Sequence, residues 1–486
     1  MGRGIWGIRV PLLSVRTELH GVTVNRWARR PSAAFAVLIA LSLFLGLALM
    51  RTPTPKDDSI RYISYALNLH DYGVFSATRD GQSAPAPQSI HAPLYPAWVA
   101  LFMHLDPGIR ASLGCIVDRT NTQTACSLDL RLLVAAQLVL AGVFFGAVWL
   151  LAFRISGNPW IAWLAAGFAL MSQDPLSYAN RVLTEALLLP LMGLFTAFLV
   201  LAYQTKRMRW MLAAGASLAL AALTRPAYCY LFLVITATLA GGVLVGKRRL
   251  FLTACAAFVL AYGVVVTPWM LRNKLQFDRF ALTTGYAGDI LAQRVAYDRM
   301  GWDELAMAFL YWFPDFGDNI AKAFFPRRYF EKLKWTGDSY YAAVAPALYQ
   351  RVLVEAKSPD AVLPRLLRTE ILAHPVKHVL VSLPLAWRGV FVRKYWGIVG
   401  LICFIIVALR RRDRPDHALL VASLPVWFMV AFHALVSVSI PRYNLPLIPL
   451  YAYAMAWAAY AAGTRLVAGR TAHHTARATG GRETSR

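Results

Sequence analysis

Charge is scarce in this 486-residue chain. Asp, Glu, Lys and Arg together make up 15% of it, against about a quarter in a soluble domain. Acids are scarcer still, 25 against 50 Lys and Arg, for a formal net charge of +25. With hydrophobic residues at 58%, this shortage excludes a single-domain soluble enzyme, and the hydrophobicity excludes a disordered basic protein. Cysteine is rare, five in all, and none falls in the paired spacing of a zinc site. RNA-binding aromatic motifs and recognition-helix patterns are missing too, so the basic surplus does not point to nucleic acid. No small-residue cleavage site follows the first apolar run, and the basic stretch before it is too long for a signal peptide, so that run is read as retained. No repeat of fixed period runs through the chain.

What is present is a series of apolar runs. A membrane-spanning helix needs roughly 20 apolar residues. Ten runs are read as spans: Ala33–Met50, Leu132–Phe153, Trp160–Met171, Val182–Tyr203, Trp210–Leu223, Ala227–Gly246, Leu250–Leu271, Tyr395–Leu409, Ala418–Val436 and Leu445–Ala462. Lys206, Arg207 and Arg209 fill one gap, Lys247, Arg248 and Arg249 another, and Arg410, Arg411, Arg412 and Arg414 a third. With ten crossings, these clusters and both basic tails fall on one side, which positive-inside counting makes cytoplasmic. Pro93–His104 is too short to cross, and Val376–Val392 carries Pro384 and Arg388, so both are expected at the outer interface. If both crossed, the count would be twelve. The expectation is an all-α polytopic membrane protein of about 10–12 transmembrane helices with external juxtamembrane loops. Its expected divisions are a cytoplasmic tail at 1–32, an N-terminal transmembrane catalytic module at 33–271 with the first external loop at 51–131, an external region with interfacial helices at 272–394, C-terminal helices at 395–462, and a cytoplasmic tail at 463–486, disordered from Thr471. Cys229, Cys255 and Cys403 sit in apolar runs as packing residues. Cys115 and Cys126 share the first external loop, where a disulfide and two unpaired thiols are equal readings.

The few acids gather where chemistry would be expected. After the first run comes Lys56-Asp57-Asp58-Ser59-Ile60-Arg61-Tyr62-Ile63-Ser64-Tyr65-Ala66-Leu67-Asn68-Leu69. On a helix, Asp58, Arg61 or Tyr62, Tyr65 and Leu69 share one face. That face puts a carboxylate, a guanidinium and two phenols at the membrane surface. Asp57 or Asp58 could equally serve as a helix cap, and capping is compatible with an active role.

An acid just after the first span, followed by Arg61-Tyr62, resembles the GT-C membrane glycosyltransferases, in particular the protein mannosyltransferase-like and lipid A aminoarabinose transferase-like bacterial enzymes. His91-Ala92-Pro93-Leu94-Tyr95-Pro96 is similar to their Pro-Pro-Leu-Tyr-Pro stretch, and Leu223-Thr224-Arg225-Pro226 to their Leu-Thr-Arg-Pro turn. Pro268-Trp269-Met270-Leu271-Arg272-Asn273 resembles their Pro-Trp-x-x-Arg-Asn segment, and Arg442-Tyr443-Asn444-Leu445-Pro446 their late Arg-Tyr-x-x-Pro element. The order of these elements over about 55 to 460 carries the resemblance, since each is weak alone. Two positions depart from the pattern: Ala92 replaces the first proline, and Ile440-Pro441 stands where an acid often precedes the late Arg-Tyr.

The resemblance implies a GT-C-type bundle in the bacterial inner membrane that moves a hexose or pentose from a polyprenyl-phosphate donor to a glycan, lipid or protein acceptor on the external face. Membrane lipids are its surroundings. Asp58 aligns with the family's catalytic acid and is the expected general base, with Asp57 the neighbour most easily confused with it. Glu185, at the start of a span, could share a proton with Asp58, bind a sugar hydroxyl, hold a metal, or simply begin a helix near Arg181. Arg225, Arg272 and Arg442 are candidates for the carrier phosphate, against a reading as interfacial anchors. Arg61, Tyr62, Tyr95, Asn273 and Tyr443 are carried as substrate-binding candidates. His91 is carried as an acceptor contact, against a structural loop histidine. No residues stand at metal-ligand spacing, and a divalent metal stays open. The rival from another class is a multipass transporter or lipid flippase, which calls for charges deep in several spans and for internal repeats. A third reading is an inactive scaffold that keeps the fold.

Overall fold

The computed structural model describes residues 30–48, 58–79, 85–117, 126, 128–244, 248–411 and 417–480. Among them every regular element is a helix. The chain runs through α1 (Pro31–Ala48), then a first layer of α2 (Asp58–Tyr72), α3 (Leu94–Leu105) and α4 (Pro107–Val117). A bundle follows: α5 (Arg131–Ser156), α6 (Pro159–Met171), the short α7 (Asp174–Ala179), α8 (Glu185–Thr205), α9 (Met208–Thr224), α10 (Tyr228–Leu244) and α11 (Arg248–Phe277). A second layer holds α12 (Tyr286–Ala296), α13 (Trp302–Tyr311), α14 (Gly317–Phe324), α15 (Arg327–Glu331), α16 (Ala345–Ala356) and α17 (Pro359–Leu366). The chain then returns to the bundle through α18 (Pro375–Val390), α19 (Tyr395–Arg410), α20 (His417–Val436), a 3-10 turn at Pro441–Leu447 and α21 (Ile448–Gly480).

Within the described residues, each of the ten apolar runs contains a helix. Among the described residues six helical stretches are long and apolar enough to cross a membrane, α1, α5, α8, α11, α20 and Pro441–Val467, and the bent pair α18–α19 makes a seventh if it is taken as one span. The other four expected spans are shorter, with 13 residues in α6, 17 each in α9 and α10, and 16 in α19. At 1.5 Å per residue they reach roughly 20–26 Å. Their ends are set by local chemistry. Gly157, at φ 67°, closes α5, and the Asn158 side chain then accepts from Trp160 N with Pro159 at the first turn of α6. Arg225-Pro226 stops α9. The stretch at 376–392, expected to lie at the interface, is α18, bent by 108° from α19. Gly397 makes that bend tight, because a Cβ there would collide with the Val392 backbone. Helix α21 continues through Gly480.

Helix direction separates two ends of the bundle. Gln204 Nε2 donates to Arg154 O at 2.7 Å, tying the far ends of α5 and α8. Lys206, Arg207 and Arg209, Arg248 and Arg249, and Arg410 and Arg411 therefore lie at one end, while Asp58, Glu185, Arg225, Arg272 and Arg442 lie at the other. Residues 1–29, Lys247, Arg412, Arg414 and 481–486 lie outside the described residues.

Both layers cap the Asp58 end. The first is stapled by the Cys115–Cys126 disulfide, one of the two readings left open. It is also seated by Asn68, whose Nδ2 donates to the carbonyls of Ser76 and Thr78 at 2.8 Å each. The second is locked to the bundle by Arg294, which is 0% exposed. Its guanidinium donates to Asp298 Oδ1 at 2.8 Å, Ala434 O at 2.6 Å, His378 O at 2.8 Å and Ser382 Oγ at 2.7 Å. His378 meets Asp298 Oδ2 at 2.7 Å and Leu435 O at 2.9 Å with its two ring nitrogens.

Candidate active site

Asp58 opens α2 and keeps a half-exposed carboxylate. Its Oδ2 accepts from Arg442 Nη1 at 3.0 Å. Arg442 stands in the 3-10 turn before α21, and its other edge grips Glu185, with Nε on Oε1 at 2.5 Å and Nη2 on Oε2 at 3.0 Å. Glu185, the first residue of α8, is 0% exposed. Its Oε1 also accepts from Arg225 Nη2 at 2.7 Å. Residues 58, 185, 225 and 442 thus form one chain of alternating charge. Two carboxylates balance two guanidiniums, which is how charges survive partial burial in a low-dielectric setting.

Arg225 does not snorkel outward. Because α9 is short, the residue lies within the bundle, with its guanidinium 5.0 Å from the Tyr443 ring centre. Its Nη1 is buried without a hydrogen-bond partner. Glu185 has both oxygens engaged and no exposed face, so its geometry is that of a group orienting two arginines.

An aromatic wall stands beside Asp58. The Tyr62 ring lies 5.7 Å from Tyr95 and 6.2 Å from His91, both edge-on. Burial pushes the Tyr62 hydroxyl up to about 12. His91 Nε2 meets Arg61 Nη1 at 3.3 Å. Burial, reinforced by the Arg61 charge, holds His91 down at about 4, so the imidazole is neutral at pH 7 and Nε2 accepts. Nδ1 is left buried and unpartnered. Tyr95 is fully buried, and its hydroxyl donates to Gln137 Oε1 at 3.0 Å. Gln137 in turn holds the carbonyls of Ala179 and Arg181, 2.8 and 3.2 Å away. Sequence reasoning passed over Gln137, although a lone amide in an apolar run was the available signal.

Arg272 and Asn273 occupy a different place. Arg272 Nη1 donates to Gln88 O and to Asn273 Oδ1, both at 2.9 Å, and the guanidinium lies 4.7 Å from the Trp269 ring centre. Asn273 is fully buried, with Nδ2 on the carbonyls of Ala281 and Leu282. These two residues fasten the first layer and the chain after α11; among the described residues no hydrogen bond or ion pair joins them to the Glu185 group. Asp57 lies outside the described residues.

On the other side of Arg442 opens a cleft of about 490 Å³, lined by Asp174, Tyr178, Arg393, Lys394, Tyr395, Pro441, Arg442 and Leu445. Sequence reasoning missed two of its three lining cations, Arg393 and Lys394, because charges flanking an apolar run look like anchors. Among the described residues no group of three or more His, Cys, Asp or Glu is placed to hold a metal ion.

The fold and site define an all-helical polytopic membrane protein with a buffered acid at one end of its bundle. No protein-family model matches the chain, and no curated protein does. Among solved structures it is similar to ArnT from Cupriavidus metallidurans bound to undecaprenyl phosphate, at TM-score 0.36 and 16% identity over 87% of this chain and 77% of that one. It is also similar to the apo state of the same protein, at TM-score 0.33 and 15% identity over the same shares. At these scores the likeness decides neither the fold family nor the role of any residue.

Proposed function

We propose that this protein is a membrane glycosyltransferase that moves a sugar from a polyprenyl-phosphate donor to an acceptor hydroxyl on the external face of a bacterial inner membrane. The observation that carries the reading is the Asp58–Arg442–Glu185–Arg225 chain, four residues from four distant segments meeting at one end of the bundle. In the proposed reaction the acceptor oxygen attacks the anomeric carbon and gives its proton to the exposed Asp58 carboxylate. The bond from the anomeric carbon to the phosphate oxygen breaks, and the carrier phosphate leaves with one more negative charge, facing fixed guanidiniums. Glu185 is a positioning residue that sets the angle of Arg442 and Arg225. Arg61, Tyr62 and neutral His91 form a polar rim for sugar or acceptor hydroxyls. Residues 33–271 are the catalytic module on this reading, and 272–394 cover it. A transporter would call for acids deep within spans; the acid within the described long spans is Glu185, at the very start of α8.

The test compares surface glycolipids and glycoproteins by mass spectrometry in cells carrying the intact gene, no gene, or the Asp58→Asn variant. One glycan should lose a sugar without the gene and regain it only with the intact copy. Identical glycans in all three strains would end the enzyme reading.

A further inference from the structure

The Asp58–Arg442–Glu185–Arg225 group is electrically balanced, so it offers little net positive charge to an anion as large as a lipid phosphate. Surplus positive charge lies next door. Arg393 and Lys394 project from the bend between α18 and α19 into the cleft that Arg442 shares. Behind the lining, Arg181 lies 5.4 Å from the centre of the Tyr178 ring. Facing them are two acids. Asp315 pairs with Lys394, and Asp174 stands 3.7 Å from Arg393, farther than a hydrogen bond. Burial pushes the Asp174 carboxyl up to about 6, against the pull of Arg393 and Arg181, which weakens its claim on either cation.

The backbone at this cleft is strained in a way the turn itself does not require. Arg393 has φ 52° and Lys394 φ 56°, both left-handed. Lys394 also has ψ −118°, a region natural only to glycine. Their partners share the peculiarity: Gln173, whose Oε1 accepts from Arg393 Nη2 at 2.8 Å, has φ 58°, and Asp315 has φ 63°. Three turns from separate parts of the chain therefore hold left-handed non-glycine residues around one opening. Glycine would relieve the backbone at 393 and 394, yet both positions carry cations. From the rim of the cleft, Tyr395, Val399, Ile402, Ile406 and Leu409 form an exposed stripe along α19 at spacings of four and three.

We propose that this cleft seats the phosphate of a single-chain lipid phosphate, held by Arg393, Lys394 and the cleft-facing side of Arg442, with its hydrocarbon along the α19 stripe. The seat rests on the reading above, in that it takes the carrier before or after sugar transfer. It places that phosphate beside Arg442, on the side away from the acceptor rim.

The experiment measures binding of undecaprenyl phosphate to the purified full chain in lipid nanodiscs. Arg393→Gly with Lys394→Gly removes the charges while easing the backbone, so the doubly substituted protein should melt no lower than the wild type and bind at least about tenfold more weakly. Exchanging the two residues for their counterparts, Arg393→Lys with Lys394→Arg, keeps the charge and should bind within about threefold of wild type. Wild-type binding by the glycine variant overturns the seat. Displacement of the lipid by millimolar inorganic phosphate would mark a free-phosphate site and also overturn it. Asp58→Asn separates the two proposals, since it should abolish transfer and still bind. If no sugar transfer exists but the glycine variant loses binding, the seat stands and the enzyme reading falls. If transfer is proven and the glycine variant binds normally, the reverse holds. If the wild type does not bind undecaprenyl phosphate, both fall.

Discussion

Two arginine-centred clusters lie at the same end of this molecule and differ in how completely they are satisfied. Arg294 is sealed, spending its guanidinium on a carboxylate, two carbonyls and a hydroxyl with no exposure. Arg225 and Arg442 share one buried carboxylate, leave Arg225 Nη1 without a partner, and end on a half-exposed Asp58. A saturated buried network fixes position, because any change leaves a group unpaired. An unsaturated one keeps donors in hand for something that arrives. The first kind docks the second layer onto α20; the second kind is where chemistry is expected.

The comparison breaks most visibly if each cluster loses its central charge partner. Glu185→Gln should leave Arg225 without its carboxylate and Arg442 with Asp58 alone, and Arg294→Met should leave Asp298 with His378 in place of two partners, each at a cost of about 3–5 kcal/mol. Thermal unfolding of the purified protein measures both. A melting point unchanged by Arg294→Met would remove the claim that its cluster is structural. Next in size is Asp58→Asn, which should lower transfer at least about 100-fold while insertion and melting stay as in the wild type. Asp57→Asn should do far less, and reversed effects would shift the acid by one residue. Arg442→Lys keeps a charge but loses the two-pronged grip on Glu185 and the link to Asp58. It should reduce use of a prenyl-phosphate donor about tenfold with little loss of folded protein. If Arg294→Lys did the same, the division between the two clusters would be wrong.

Smaller effects sharpen the picture. Asp298 is held below the ordinary carboxylate range: burial raises it, but the His378 hydrogen bond and the Arg294 charge outweigh that. A depressed acid contributes stability above its unfolded pKa and loses it as pH falls through the folded value. The second layer should therefore stay docked through pH 5 and loosen only in stronger acid, which hydrogen exchange over α12 would report. Loosening already near pH 6 would contradict the pairing. Cysteine labelling tests sidedness with no energetic cost: a cysteine at Ser358 should react from outside and one at Arg411 from inside.

The helices were legible because hydropathy needs no partner: an apolar run bounded by arginines becomes a helix between two interfaces. Lengths were less legible, since α6 starts only at Asn158-Pro159 and α9 stops at Arg225-Pro226, and neither reaches a full span. The acids and arginines of the site were visible as residue types, and Asp58, Glu185, Arg225 and Arg442 do converge. Which of them touch was not visible, because residues 58, 185, 225 and 442 meet only through the packing of α2, α8, α9 and the turn before α21. Arg272 shows the limit. It carries the same signature as Arg442 at a helix end, yet spends itself on the Gln88 carbonyl. Lys394 shows another, for nothing in Arg-Lys-Tyr announces a left-handed backbone.

Arg442 has one further property under the proposed transfer, and it concerns timing. While Asp58 is ionised, Arg442 Nη1 is engaged by it and the four-residue group is neutral. Once Asp58 takes the acceptor's proton, it stops competing for that N–H, and the group is left with one net positive charge. That charge appears in the same event that hands the leaving phosphate its extra negative one. The proton thus switches the arginine from one anion to the next, and neither has to wait unpaired. A permanently neutral residue at 58 mimics the switched state, so Asp58→Asn should hold undecaprenyl phosphate at least as tightly as the wild type; weaker binding would show that the acid and the arginine act independently.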